Sequence, residues 1–133
     1  MANASGETMR LDKVGKFRNG KIKFKQIPHP SIFISREKLT KINPFFDDSY
    51  QISADLKQQL ILLNKINSKG FYLSEAFAIQ KIGGKSTRNF LAYFKGWRES
   101  ARAWNDVMGR GGVIFVISKV LFKIKGYIFK GNN

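Results

Sequence analysis

Two side chains in this sequence have the type and setting to move a proton. Asp55 stands between Ala54 and Leu56, where a helical pattern begins. A carboxylate at a helix start can act as a general base toward a hydroxyl within reach. It can equally be a first-turn residue favoured by the helix dipole, and both readings fit. His29 lies between Pro28 and Pro30, ahead of the apolar run Ser31–Ser35. Its imidazole could touch a substrate or satisfy backbone groups where a strand begins. The third constellation is Gly83-Gly84-Lys85-Ser86-Thr87-Arg88, directly before a long helical stretch. Backbone N–H groups and two cations there suit a phosphate, although an ordinary capped helix start uses the same residues. A nucleotide-hydrolase loop would need glycine where Ile79 stands, so that chemistry is excluded. Asp47-Asp48 has the carboxylates for a divalent metal. With Pro44 before them and Ser49 after, they read instead as turn residues.

Composition narrows the classes. Among 133 residues, Lys and Arg number 24 and Asp and Glu 9, so the net charge is 24 − 9 = +15. Twelve phenylalanines and 43% apolar residues exclude a disordered polyelectrolyte. The chain has no cysteine, so thiolate metal sites and disulfides are excluded, and any His-dependent triad must use His29. The opening MANASGETMR has no apolar core, so no secretory leader is expected. No run approaches the ~20 apolar residues of a spanning helix. These features predict a cytoplasmic protein, peripheral on the inner face of the cell membrane. The alternative is a nucleic-acid-binding protein, since cations interleaved with aromatics neutralise phosphates and stack bases. The cations, however, are spread along the whole length, and no motif that reads DNA or RNA occurs.

Residues 1–20 read as a loose leading segment. KIKFKQI (21–27) alternates as a half-buried strand does, and SIFIS (31–35) reads as a buried strand. Residues 36–42 suit one or two helical turns, and NPFFDDSY (43–50) a turn. A helix is expected from Ala54 to Asn67, N-capped by Ser53 and closed by Gly70, with Leu56, Leu60 and Leu63 on one face. FYLSEAFAIQKI (71–82) holds strand-like pieces. A long helix over 87–107 carries an aromatic stripe of Phe90, Phe94, Trp97 and Trp104. Gly109–Gly112 breaks the chain. Val113–Lys130 reads as a basic amphipathic helix with Lys119, Lys123 and Lys130 on one face, suited to an anionic membrane surface; a core-packing helix with solvated lysines would read similarly. The expected class is α/β with mixed α+β content: a few short strands plus three to four helices. The expected division is 1–20, 21–107 and 108–133.

IPHPSIFISREKL, NPFFDDSYQISADLKQQLILL and GFYLSEAFAIQKIGGKSTRN occur in that order over about residues 20–105. Together they resemble the C-terminal half of family 2 glycosyltransferases of the GT-A fold, of the bacterial surface-polysaccharide type. The resemblance is carried by His29, the turn Phe46-Asp47-Asp48-Ser49-Tyr50, Ala54-Asp55, and Gly83-Gly84-Lys85-Ser86. It implies an incomplete GT-A-like half on the acceptor side. Asp55 would then deprotonate the acceptor hydroxyl, which attacks the anomeric carbon of a nucleotide-sugar in an inverting displacement. His29, Gly83, Gly84, Lys85 and Ser86 would border the acceptor or diphosphate, and Lys85 and Arg88 would suit the leaving diphosphate or a lipid-linked phosphate. Pro30 stands where many relatives carry glutamine, and Lys57 where many carry a second aspartate. The family's donor-binding half, with its Asp-x-Asp pair, has no counterpart here. A divalent metal (Mg or Mn) is therefore expected only with that half, which a separate chain could supply. Alone, this chain is expected to transfer sugar hardly at all, as a fragment, split subunit or decayed product would.

Overall fold

The computed structural model describes residues 26–70 and 90–128. The leading segment 1–20, all but the end of the 21–27 strand, the 71–82 strand pieces and the Gly83–Arg88 loop lie outside the described residues. Among those described, the chain is helical and contains no strand or sheet. The elements are a 3₁₀ turn at His29–Ser31, α1 (Arg36–Leu39), α2 (Ala54–Leu60, continued by a π turn over Ile61–Lys65), α3 (Phe90–Met108) and α4 (Gly112–Ile128).

The expectation of an α/β, GT-A-like arrangement is thus overturned. The SIFIS segment shows why. Pro28 and Pro30 bend the chain into the 3₁₀ turn, where Ser31 N–H bonds Pro28 O at 2.9 Å and Ile32 N–H bonds His29 O at 3.1 Å. The chain then extends, and its alternation survives: Ile32 and Ile34 are half-buried while Phe33 points out. Ile34 seats against the helical core instead of entering a ladder. β propensity reports fit to a half-buried surface, and here helices supply that surface.

α2 forms because Leu56, Leu60 and Leu63 recur on one face and all three are buried. Ser53 does occupy the N-cap position, but its side chain makes no cap bond. Its Oγ instead meets Ser100 Oγ at 3.2 Å and Gly96 O at 3.3 Å on α3. The helix widens into the π turn and ends at Asn67 (φ 54°), with Ser68 N–H bonded to Leu62 O at 3.1 Å. Asparagine tolerates the left-handed conformation that closes a helix, so Asn67 does what Gly70 was expected to do.

α3 differs from its aromatic pattern. Its buried residues are Glu99, Ser100 and Ala103, while Phe90 (82% exposed), Phe94 and Trp97 face outward. Small side chains let α3 approach α2 closely. Gly109 and Gly111 then take positive φ to reverse the chain. A Cβ on Gly112 would lie 2.1 Å from Ala101 O, so only glycine fits that approach. α4 returns antiparallel to α3, with Phe115 stacked on Trp104 at 4.4 Å and buried in the common core. Val113, Ile114, Ile117, Leu121 and Ile124 of α4 are exposed. Among the described residues no helix is long and apolar enough to cross a membrane.

Candidate functional site

Asp55 lies in the first turn of α2 and is half-buried. Its Oδ1 accepts Leu56 N–H at 2.8 Å, and its Oδ2 accepts the Gln26 amide N–H at 2.7 Å. The other end of that amide accepts from Lys119 Nζ at 3.0 Å, and Lys119 also reaches Ser100 Oγ at 3.4 Å. A polar chain therefore runs from the start of α2 through Gln26 to α4 and α3. Lys119, assigned by the sequence to a solvated or lipid-facing stripe, turns inward to complete it.

One helical turn on, Gln59 is fully buried and grips the main chain of Ile27 at both ends. Its Nε2 donates to Ile27 O at 2.9 Å and its Oε1 accepts Ile27 N–H at 3.1 Å. A glutamine so placed satisfies an extended backbone as a neighbouring strand would. Asp55 and Gln59, four residues apart on one face, thus lay segment 26–28 along α2. His29 follows immediately. Its ring meets Phe46 edge-on at 5.9 Å and 74°, and it lines a concavity of about 190 Å³ with Ile32, Ile34, Leu39, Phe45, Phe46 and Gln58. Asp55 on α2 and His29 at the end of the segment laid along it are thus brought near each other, but their side chains have different partners and are not joined directly. Gly83, Gly84, Lys85, Ser86 and Arg88 lie outside the described residues.

The Phe46–Tyr50 segment is a turn. Asp47 O accepts Tyr50 N–H at 3.0 Å and Asp47 Oδ1 accepts Ser49 N–H at 3.0 Å, the Asx arrangement expected of such residues. Behind it, Lys57 Nζ bridges Asp47 Oδ2 at 2.6 Å and Asp106 Oδ2 at 3.0 Å. Tyr50 OH donates to Asp106 at 2.6 Å, and Arg102 stacks on the Tyr50 ring at 4.5 Å. The hydrogen bond from Lys57, aided by those at Ser49, holds Asp47 well below the usual carboxylate range. That from Tyr50, reinforced by Lys57, depresses Asp106. Burial and the same bond to Asp106 push the Tyr50 phenol up. For Lys57, burial opposes the charge, yet the bonds to Asp47 and Asp106 outweigh it and raise its pKa. This cluster clasps α3 to the turn before α2.

Glu99 makes a second clasp. It is only 8% exposed and accepts the N–H groups of Gln51 (3.2 Å), Ile52 (2.7 Å) and Ser53 (2.9 Å). A carboxylate from α3 therefore satisfies backbone donors at the start of α2 and adds negative charge where the helix dipole favours it.

Gln26, Gln59, Lys57 and Glu99 were not legible as site-forming residues. The available signal was the pair Gln58-Gln59 set between Leu56 and Leu60, where amides interrupt an apolar face. Among the described residues no three of His, Asp and Glu stand together as a metal site. Comparison with protein-family models, curated proteins and solved structures returns no match.

Proposed function

We propose that this chain is the acceptor-side portion of a sugar transferase working at an anionic membrane surface, with Asp55 as its proton acceptor. The observation that carries the reading is the Asp55 carboxylate, half-buried in the first turn of α2 and oriented by Gln26 and Leu56. An oriented carboxylate with access to solvent can take a proton from an alcohol in the transition state. In the proposed step the acceptor O–H gives its proton to Asp55 as the oxygen bonds to the anomeric carbon. The bond from that carbon to the diphosphate oxygen breaks, and the nucleoside diphosphate leaves with inversion. The order of motifs around His29, Phe46–Tyr50 and Ala54-Asp55 supports the same assignment. A nucleotide-binding half, from a separate chain or the remainder of a longer one, must hold the donor.

Location at a membrane surface is supported by the outward apolar residues of α4 together with the net charge of +15. Combining the chain with a nucleotide-binding half and a labelled nucleotide-sugar tests the reaction. Asp55→Asn is expected to abolish transfer to a lipid-linked or glycan acceptor while leaving the far-UV circular dichroism unchanged. Transfer at the wild-type rate in that variant would remove Asp55 from the mechanism.

A further inference from the structure

The concavity beside His29 holds unpartnered polar atoms that the proton transfer proposed for Asp55 does not use. Five of its lining side chains are apolar: Ile32, Ile34, Leu39, Phe45 and Phe46. The other two, His29 and Gln58, each bring a buried polar atom. Among the described residues neither His29 Nδ1 nor Gln58 Oε1 has a hydrogen-bond partner. Gln58 is 2% exposed, and its amide nitrogen is already committed to Phe45 O at 3.3 Å. Its oxygen is thus the acceptor left over. A buried acceptor without a donor is unfavourable, and native structures rarely retain one unless something completes it.

We infer that this concavity binds a small neutral monocyclic phenol, whose ring fills the apolar volume and whose hydroxyl serves the unpartnered polar atoms. Among the described residues no Lys, Arg, Asp or Glu lines the space, so phosphates and carboxylates find no counter-ion among them. A sugar would bring several hydroxyls to a lining whose described residues leave two side-chain polar atoms unpartnered, so most of its hydroxyls would stay unpaired. The concavity is open to one side, and its space of about 190 Å³ is enough to seat one ring with one or two substituents. Three aromatic rings already stand at the rim in edge-to-face pairs, His29 with Phe46 and Phe45 with Phe46 (5.3 Å, 67°). A further ring extends that arrangement. A hydroxyl donates and accepts at once, so it can give its proton to Gln58 Oε1 or accept from or donate to an imidazole nitrogen. This inference does not depend on Asp55.

The test titrates the full chain with p-cresol, toluene and glucose, following the imidazole nitrogens by two-bond ¹H–¹⁵N correlation. His29 is the single histidine, so the signal needs no assignment. Saturable p-cresol binding with a shifted His29 Nδ1, about tenfold tighter than toluene, is the expected result. Gln58→Leu should bring p-cresol down to the affinity of toluene. Should that variant fail to fold, His29→Phe, read by the change in tryptophan fluorescence, should narrow the same ratio. Equal binding of p-cresol and toluene, displacement of p-cresol by millimolar glucose, or no saturation by any ligand would overturn the inference.

Discussion

Replacing Glu99 by alanine removes the acceptor for three main-chain N–H groups at once, and the structure allows the loss to be worked out donor by donor. Gln51 is exposed, so water replaces the carboxylate at its N–H with little loss. Ile52 is half-buried and Ser53 only 4% exposed, so their N–H groups are left largely unsatisfied. Each such donor costs about 1–2 kcal/mol. Against this, a buried carboxylate no longer has to be desolvated, which returns about 1 kcal/mol. The net expectation is a destabilisation of about 1–3 kcal/mol. At about 4 °C per kcal/mol for a chain of this size, the melting temperature falls by about 4–12 °C. Glu99→Gln keeps one carbonyl oxygen and should lose roughly half as much. Urea and thermal unfolding followed by circular dichroism at 222 nm measure both variants. A Glu99→Ala protein within about 0.5 kcal/mol of the parent would show that the start of α2 does not depend on α3, and would refute the two-clasp account.

Three further outcomes follow from the same geometry. Asp47 and Asp106 have depressed pKa values in the folded state, so their stabilising contribution is complete above the ordinary carboxylate value of 3.8 and is lost as pH falls through the lower folded values. The raised Lys57 contributes fully until pH climbs past 10.5, so urea midpoints should be flat from about pH 5 to 9 and fall below about pH 4, less steeply in Lys57→Met. Gln59→Leu leaves both polar groups of Ile27 unpaired and should cost about 2 kcal/mol, with faster amide exchange at Ile27 as its local signature; unchanged exchange there would contradict the grip described. The double change Ile117→Asp and Leu121→Asp should abolish co-sedimentation with anionic vesicles at undiminished stability, whereas strong salt-sensitive DNA retention by a parent chain that ignores vesicles would favour the nucleic-acid alternative.

The helical half of this fold was legible because its signals are local. The Leu56–Leu60–Leu63 spacing, the Ala54 start and the glycines at 109–112 each act within a turn or two of chain. The 43–50 turn was legible for the same reason, since Asp47 bonds its own neighbours. What failed depended on distant partners. The alternation in SIFIS is present in the structure, but period two states only which side chains share a side, not whether a strand or a helix lies beneath them. The aromatic stripe of α3 misled similarly. Ser100 and Ala103 won the contact with α2 by being small, and Phe90, Phe94 and Trp97 were left outside. Glu99 lies 46 residues from the Ser53 N–H it accepts, beyond any local pattern. At the candidate site, Asp55 and His29 stand out by their types and settings. The amides that hold the His29 segment on α2, Gln26 and Gln59, do not, because glutamine reads as a neutral helix surface until its partners are known.

Chemical rescue of Asp55→Ala tests the central claim most directly. In a reconstituted transfer assay the variant should lose at least about a hundredfold in rate, the low end of what a positioned base contributes. Added formate, small enough to enter the space left by the side chain, should restore turnover in a saturable manner without changing the affinity for the nucleotide-sugar. An Asp55→Ala protein that transfers sugar at the parent rate, with or without formate, would contradict the account.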